Sequence, residues 1–316
     1  MRILLVKTSS LGDVIHNLPV VSDILRHHPS AQIDWCVEQS FAAIPALHPG
    51  VGRIMPVALR RWRKALFQWA TWREIGHFRR QMAQQSYDAV IDTQGLVKSA
   101  VFARQARGPK SGYDAASARE PLASRLYDRV FAIARQQHAV QRNRQLAAAV
   151  LGYVADGEPD YGIAAAAADF PWLPEKPFVV LLTATSRDDK LWPEDHWIAL
   201  GEQLAAAGYA AVLPGGSLLE RARASRLAAQ IPGAVVVPPL SLPELAALLA
   251  ASRATVGVDT GLSHLAVALG VPTIALYTAT DPGLTGVLGR GFWRNLGGKA
   301  QTPSVNAVMA ALGEVF

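Results

Sequence analysis

Short apolar runs at residues 3–6, 32–37, 53–57 and 88–92 alternate with segments of helical periodicity, beginning with 14–25. Strands spaced this far apart cannot be joined by tight hairpins. They need long crossovers, and a parallel sheet wrapped by helices supplies them. The rhythm breaks at 161–177, where the alanines of 164–168 run into Asp169-Phe170-Pro171-Trp172-Leu173-Pro174 and Pro177, a segment read as a linker. It then restarts, with strands predicted at 178–183, 210–213, 235–237, 254–258 and 273–276. The helices between them are predicted at 196–207, 218–230, 242–250 and 262–269. The pattern predicts two successive doubly wound α/β domains, 1–168 and 169–316, facing a cleft at the carboxyl ends of their strands. A last amphipathic helix at 303–316 is a candidate to pack back on the first domain.

A length of 316 residues suits two domains at roughly 100–200 residues each. With 50% hydrophobic and 18% charged residues, the chain is not a disordered one. One cysteine, Cys36, excludes a disulfide framework and a cysteine-based metal site; within an apolar strand it reads as a core residue in a reducing, intracellular setting. The N-terminal apolar stretch is too short for a signal peptide. No window reaches the roughly 18 apolar residues of a membrane span, since Asp259 and His264 interrupt 254–279.

The formal charge of +6 is unevenly placed: residues 1–168 carry 21 basic and 13 acidic residues, a net +8, and residues 169–316 carry −2. An anionic partner therefore belongs to the first domain. One basic stretch, 53–80, contains Arg60-Arg61-Trp62-Arg63-Lys64, Trp69, Trp72 and Arg73, with Glu74 as its only acid. Another runs from Lys98 through Arg119 and Arg125 to Arg142 and Arg144. Basic residues interleaved with tryptophan suit a surface that meets phosphates and a lipid boundary. The other reading is an amphipathic helix with Trp62, Leu66 and Trp69 in the core. A nucleic-acid-binding module would use the same patches, but it would have no need of the anion-binding turns in the near-neutral half.

No G-x-G-x-x-G follows the first strand, and no G-x-x-x-x-G-K-[ST], H-E-x-x-H or Asp-x-Asp is present. Val256-Gly257-Val258-Asp259-Thr260-Gly261-Leu262-Ser263-His264 instead joins a strand directly to a helix start, where Thr260 and Gly261 offer backbone N–H groups to an anion. Asp259 suits sugar hydroxyls, or else an N-cap; His264 could face a diphosphate, or be structural. Thr185, Ser186 and Lys190 follow the strand at 178–183, and Lys190 could neutralise a leaving diphosphate. Pro214-Gly215-Gly216-Ser217 precedes Glu220, a candidate for a ribose diol, though such a sequence is also a common turn. In Ser10-Leu11-Gly12-Asp13 a carboxylate follows the first strand; it suits a general base or an N-cap.

Lys7-x-x-Ser10-Leu11-Gly12-Asp13, Asp92-x-Gln94-Gly95-Leu96-x-Lys98-Ser99, Thr185-Ser186-Arg187-Asp188-Asp189-Lys190-x-Trp192-Pro193 and Asp259-Thr260-Gly261-x-x-His264, in this order, resemble the lipopolysaccharide heptosyltransferases of glycosyltransferase family 9. Gly112-Tyr113-Asp114 and Arg119-Glu120-Pro121-Leu122-Ala123-Ser124-Arg125 are most similar to the members that add the first heptose to the inner core. The resemblance implies a GT-B fold, with the acceptor on the N-terminal domain and ADP-L-glycero-β-D-manno-heptose on the C-terminal one. It implies inversion at the anomeric carbon, with no required metal or cofactor. Asp13 would be the general base, and Lys190 with Thr185 and Ser186 would hold the diphosphate, although a second threonine is expected where Ser186 stands. Thr260, Gly261 and His264 would complete the donor site, with Asp259 on the heptose, Glu220 on ribose and Leu240 at the adenine. The implied acceptor is Kdo2-lipid A, met by Ser10, Gly12, Arg60, Arg61, Arg63, Lys64, Lys98, Arg119, His138, Arg142 and Arg144. The implied location is peripheral, on the anionic cytoplasmic face of a Gram-negative inner membrane, with no nucleic-acid partner. Transfer of the second heptose, and a GT-B-like sugar-nucleotide epimerase, are the alternatives.

Overall fold

The computed structural model describes residues 1–316, which divide into two compact units, Met1–Ile163 and Ala164–Phe316. The sequence reading places the division at 168. In the first unit, β1 (Arg2–Val6), β2 (Gln32–Glu38), β3 (Val51–Val57), β4 (Ala89–Asp92), β5 (Lys110–Tyr113) and β6 (Arg129–Phe131) form one parallel sheet in the order β3-β2-β1-β4-β5-β6. β1 and β4 are buried on both faces apart from Arg2, as strands covered by helices on each side must be.

In the second unit, β7 (Phe178–Leu182), β8 (Ala210–Leu213), β9 (Val235–Val236), β10 (Ala254–Val258), β11 (Thr273–Tyr277) and β12 (Trp293–Gly297) form a parallel sheet in the order β12-β11-β10-β7-β8-β9. Counted within its own unit, each sheet runs 3-2-1-4-5-6. This is the Rossmann order, in which the chain reverses direction across the sheet between the first and fourth strands and leaves a crevice at their carboxyl ends. In the first unit that point lies between β1 and β4, where Val6 pairs with Asp92. In the second it lies between β7 and β10, where Leu182 pairs with Gly257.

Three differences from the expected elements have local causes. The helix expected at 14–25 is two helices, Leu11–Ile15 and Leu18–His27, because Pro19 has no N–H to continue the first and instead sits in the opening turn of the second. Within 59–83 there is a helix Leu59–Trp62, a turn, and a helix Trp69–Ala83. Of the tryptophan and leucine residues offered to the core, only Trp62 is buried there, packed on Phe78; Leu66 and Trp69 are exposed. The final helix, Val305–Gly313, buries Val308, Ala311 and Leu312 in the core of the second unit with Trp197 and Leu200. Cys36 is buried in β2, as expected, and burial pushes its thiol pKa up.

Candidate active site

In the first unit the segments leaving β1 and β4 are sewn together by one side chain. Gln94 Oε1 accepts from the Thr8 N–H and Thr8 Oγ1, both at 2.7 Å, while its Nε2 donates to the Ser9 carbonyl at 2.6 Å. Asp92, fully buried, fixes the turn that presents Gln94: its Oδ1 accepts from the N–H of Gln94 at 2.8 Å and of Gly95 at 3.3 Å, and Tyr127 donates to its Oδ2 at 2.7 Å. Gly95 has φ +67°, which a side chain rarely adopts.

This framework delivers Asp13 and Lys7 to one pocket, which Thr93, Tyr113, Arg119 and Arg142 also line. Asp13 is in the first turn of the helix Leu11–Ile15, and Ser10, not Asp13, is the N-cap. Asp13 Oδ2 accepts from the Ser10 N–H at 2.8 Å, and its Oδ1 is ion-paired with Arg119 at 2.7 Å. Burial pushes this carboxyl upward. The charges of Lys7 and Arg119, with the Ser10 N–H, outweigh burial and hold it well below the usual carboxylate range. Lys7 Nζ donates to the Thr93 carbonyl at 2.8 Å and to Asn143 Oδ1 at 3.3 Å. Burial lowers its pKa to about 8 against the attraction of Asp13. Lys98 Nζ reaches Ser9 Oγ at 3.1 Å, and the Gly12 carbonyl holds the His16 N–H at 2.8 Å. The Arg142 guanidinium lies 4.9 Å from the centre of the Tyr113 ring and is half-buried, which lowers its pKa. His138 caps the helix Ala139–Leu151 through Nδ1, and its ring meets that of His16 at 5.6 Å.

Of the other basic residues expected at the acceptor, Arg60, Arg61, Arg63 and Lys64 follow β3 and are exposed at the same carboxyl end of the sheet. Arg60 lies over the Phe41 ring at 5.5 Å, and Arg61 pairs with Glu74 at 2.8 Å. Arg144 is a correction. It has no exposed side-chain surface, its Nε is bonded to Asp23 Oδ2 at 2.6 Å, and it also donates to the carbonyls of Asp156 and Gly157. A guanidinium fully occupied inside the protein has nothing to offer an acceptor. Lys7, Gln94, Tyr113 and Asn143 carry no role in the sequence reading, yet they build this pocket. The available signal was their position: Lys7 directly follows β1 and Gln94 lies two residues beyond the end of β4, the strands that flank the reversal point.

In the second unit the corresponding segments converge on Asp259. Thr185 Oγ1 donates to the Asp259 carbonyl at 2.9 Å, and Asp259 Oδ2 receives Lys190 Nζ and Thr280 Oγ1, each at 2.7 Å. His264, buried one turn into the helix Gly261–Ala268, has Nε2 4.0 Å from Asp259 Oδ1. Thr260 is the N-cap of that helix, so Asp259 is not. A Cβ added to Gly257 would fall 2.4 Å from Ser263 Oγ; the missing side chain lets the helix close tightly on β10. The first-turn N–H groups at Thr260 and Gly261 therefore open at the end of β10, with the positive end of the helix dipole. Ser186, next to Thr185 in the chain, is exposed, and beyond it Arg187 pairs with Asp189. Glu220 closes a capping box: its Oε2 accepts from the N–H groups of Gly216 at 2.7 Å and Ser217 at 3.0 Å. Leu240 is half-buried in the loop after β9. The first cluster sets a carboxylate among cations, and the second sets a lysine and a helix end where an anion can enter.

The family model Glycosyltransferase family 9 (heptosyltransferase) matches residues 75–309. The lipopolysaccharide heptosyltransferase 1 of Pseudomonas aeruginosa is 50% identical over 295 residues, covering 92% of this chain and 82% of that protein. The solved Escherichia coli heptosyltransferase WaaC with ADP matches with a TM-score of 0.91 at 45% identity, over 100% of each chain. The same E. coli enzyme solved with ADP-2-deoxy-2-fluoro heptose gives a TM-score of 0.87 at 44% identity, over 99% of each chain.

Proposed function

Because the chain belongs to glycosyltransferase family 9, the heptosyltransferases, we propose that it transfers L-glycero-D-manno-heptose from ADP-heptose to a Kdo hydroxyl of Kdo2-lipid A, with inversion at the anomeric carbon. It is a lipopolysaccharide heptosyltransferase of the first kind by its relatives, with a GT-B-like fold. The observation that carries the acceptor is the pocket at the end of β1, where one carboxylate, Asp13, stands among Lys7, Arg119 and Arg142. An acidic sugar suits that arrangement. Its carboxylate competes with Asp13 for Arg119, and Asp13 Oδ1, so released, takes the proton of the attacking hydroxyl.

The hydroxyl oxygen bonds to the anomeric carbon on the face opposite ADP. The bond to the diphosphate breaks, and its electron pair leaves with the β-phosphate. Lys190, Thr185, Ser186 and the N–H groups at Thr260 and Gly261 receive that charge, with His264 nearby. They supply positive potential without a metal or other cofactor. Asp259 exchanges its lysine for heptose hydroxyls, the Glu220 oxygen not engaged by the Gly216 and Ser217 N–H groups takes a ribose hydroxyl, and the backbone at Leu240 reads adenine. The remaining acceptor phosphates fall to Ser10, Gly12, Lys98, His138 and the Arg60–Lys64 group, and a lipid-linked acceptor supports a peripheral location on the cytoplasmic face of the inner membrane. The test is ADP release from ADP-heptose. It is expected to require Kdo2-lipid A, to survive EDTA, and to give a product of inverted anomeric configuration by NMR. Conversion of ADP-heptose to an epimeric ADP-sugar without acceptor would indicate an epimerase, and ADP release only with an already heptosylated acceptor a second-heptose transferase; either overturns the proposal.

A further inference from the structure

Leu66, Phe67, Trp69 and Trp72 stand in water within one short segment, Phe67 fully, Trp69 at 75% and Trp72 at 57% exposure. The segment crosses the turn into the helix Trp69–Ala83, whose opposite face buries Thr71, Phe78 and Met82. It is held from beneath: Trp62 packs on Phe78 and donates to Glu74 Oε2 at 2.9 Å, and Trp72 Nε1 donates to the Leu66 carbonyl at 2.8 Å. The apolar side chains are thus presented by a braced turn.

The charge that flanks them along the chain is mostly basic. Arg60, Arg63 and Lys64 precede the segment, and Arg73, Arg79 and Arg80 follow it. The only acid between residues 53 and 80, Glu74, is neutralised by Arg61 and capped by Trp62. A contiguous aromatic patch on a soluble surface marks an interaction site. Flanked by cations, with Glu74 paired to Arg61 and Glu38 buried against the Leu59 and Arg60 backbone, it complements a negative surface that has apolar material just below it. Indole rings favour the headgroup level of a bilayer, and Lys and Arg are attracted to its anionic lipids. No helix is long and apolar enough to cross a membrane, so such contact is interfacial.

We propose that residues 66–72 form a docking wedge that seats the first unit on an anionic lipid bilayer, with Leu66, Phe67, Trp69 and Trp72 in the interface and Arg63, Lys64 and Arg73 on lipid phosphates. The wedge holds the enzyme where a lipid-linked acceptor resides. It rests on the reading of a lipid acceptor for its purpose, whereas the binding itself is measurable without one.

The experiment is cosedimentation of the full-length protein with acceptor-free vesicles, either phosphatidylcholine alone or phosphatidylcholine mixed with phosphatidylglycerol. Wild type is expected to bind the mixed vesicles and not the neutral ones. Combined Phe67→Ser, Trp69→Ser and Trp72→Ser substitution is expected to weaken partitioning at least about tenfold. Phe67→Asp, at a side chain fully in solvent, is expected to weaken it measurably while leaving the rate on a soluble, deacylated acceptor unchanged. Failure of wild type to bind anionic vesicles, equal binding by the variants, or capture by single-stranded oligonucleotides in place of vesicles would overturn the wedge. Vesicle binding without heptosyl transfer would instead refute the functional reading and leave the wedge standing.

Discussion

At Lys7, burial and charge pull in opposite directions. Removal from water disfavours the ammonium more than Asp13 favours it, and the pKa falls to about 8. The unfolded chain keeps its proton up to the ordinary lysine value near 10.4. Between these two values the unfolded state binds more protons, so this group's contribution to stability rises with pH across that window, and its full cost is carried below pH 8. Unfolding measured by urea at pH 7 and pH 9.5 is expected to show wild type gaining about 2 kcal/mol relative to Lys7→Met. An equal pH response in both proteins would show that Lys7 is not held this way. Asp13, whose pKa is also lowered, gives a slope of the same sign in a lower window: its stabilising charge is present above the unfolded carboxylate value and lost as pH falls. Asp13 was legible because a carboxylate after a first strand is a recognisable pattern. Lys7 and Gln94 stand in the motifs that carry the resemblance, but their part in the pocket was not legible: a lysine ending an apolar run looks like any solvated strand end, and only the pairing of β1 with β4 turns both side chains into one pocket.

Between elements, Arg144 ties the helix Ala139–Leu151 to the helix Leu18–His27 through Asp23, with both side chains buried. In sequence it is one more arginine in a basic run, because nothing local to 119–144 reveals an aspartate more than a hundred residues away. Arg144→Met is expected to cost about 3–5 kcal/mol, the scale for stranding a buried partner charge. Denaturant unfolding measures that cost, while acceptor saturation kinetics should show an unchanged KM. Near-native stability with a raised acceptor KM would return Arg144 to the binding surface. The strands that sequence missed share a physical cause. β5, β6 and β12 are short or carry Lys, Arg, Asn or Gly, and β6 and β12 are half-exposed edges without an apolar run. Buried β8 and β10 were legible to the residue.

Across the whole molecule, the alternation that runs twice in the sequence becomes two sheets of identical order, each with its cluster of chemistry where the order reverses. The excess positive charge belongs to the unit that holds Asp13, where an anionic acceptor is expected. The near-neutral unit relies on Lys190 and a helix end. That division of labour makes a sharp prediction about Asp13, whose loss should disable transfer without touching the donor. The direct measurement is Asp13→Ala assayed two ways, by ADP-heptose affinity and by turnover with Kdo2-lipid A. Unchanged donor affinity with turnover lowered at least about 10²-fold is expected of a lost general base. Turnover close to wild type would contradict it.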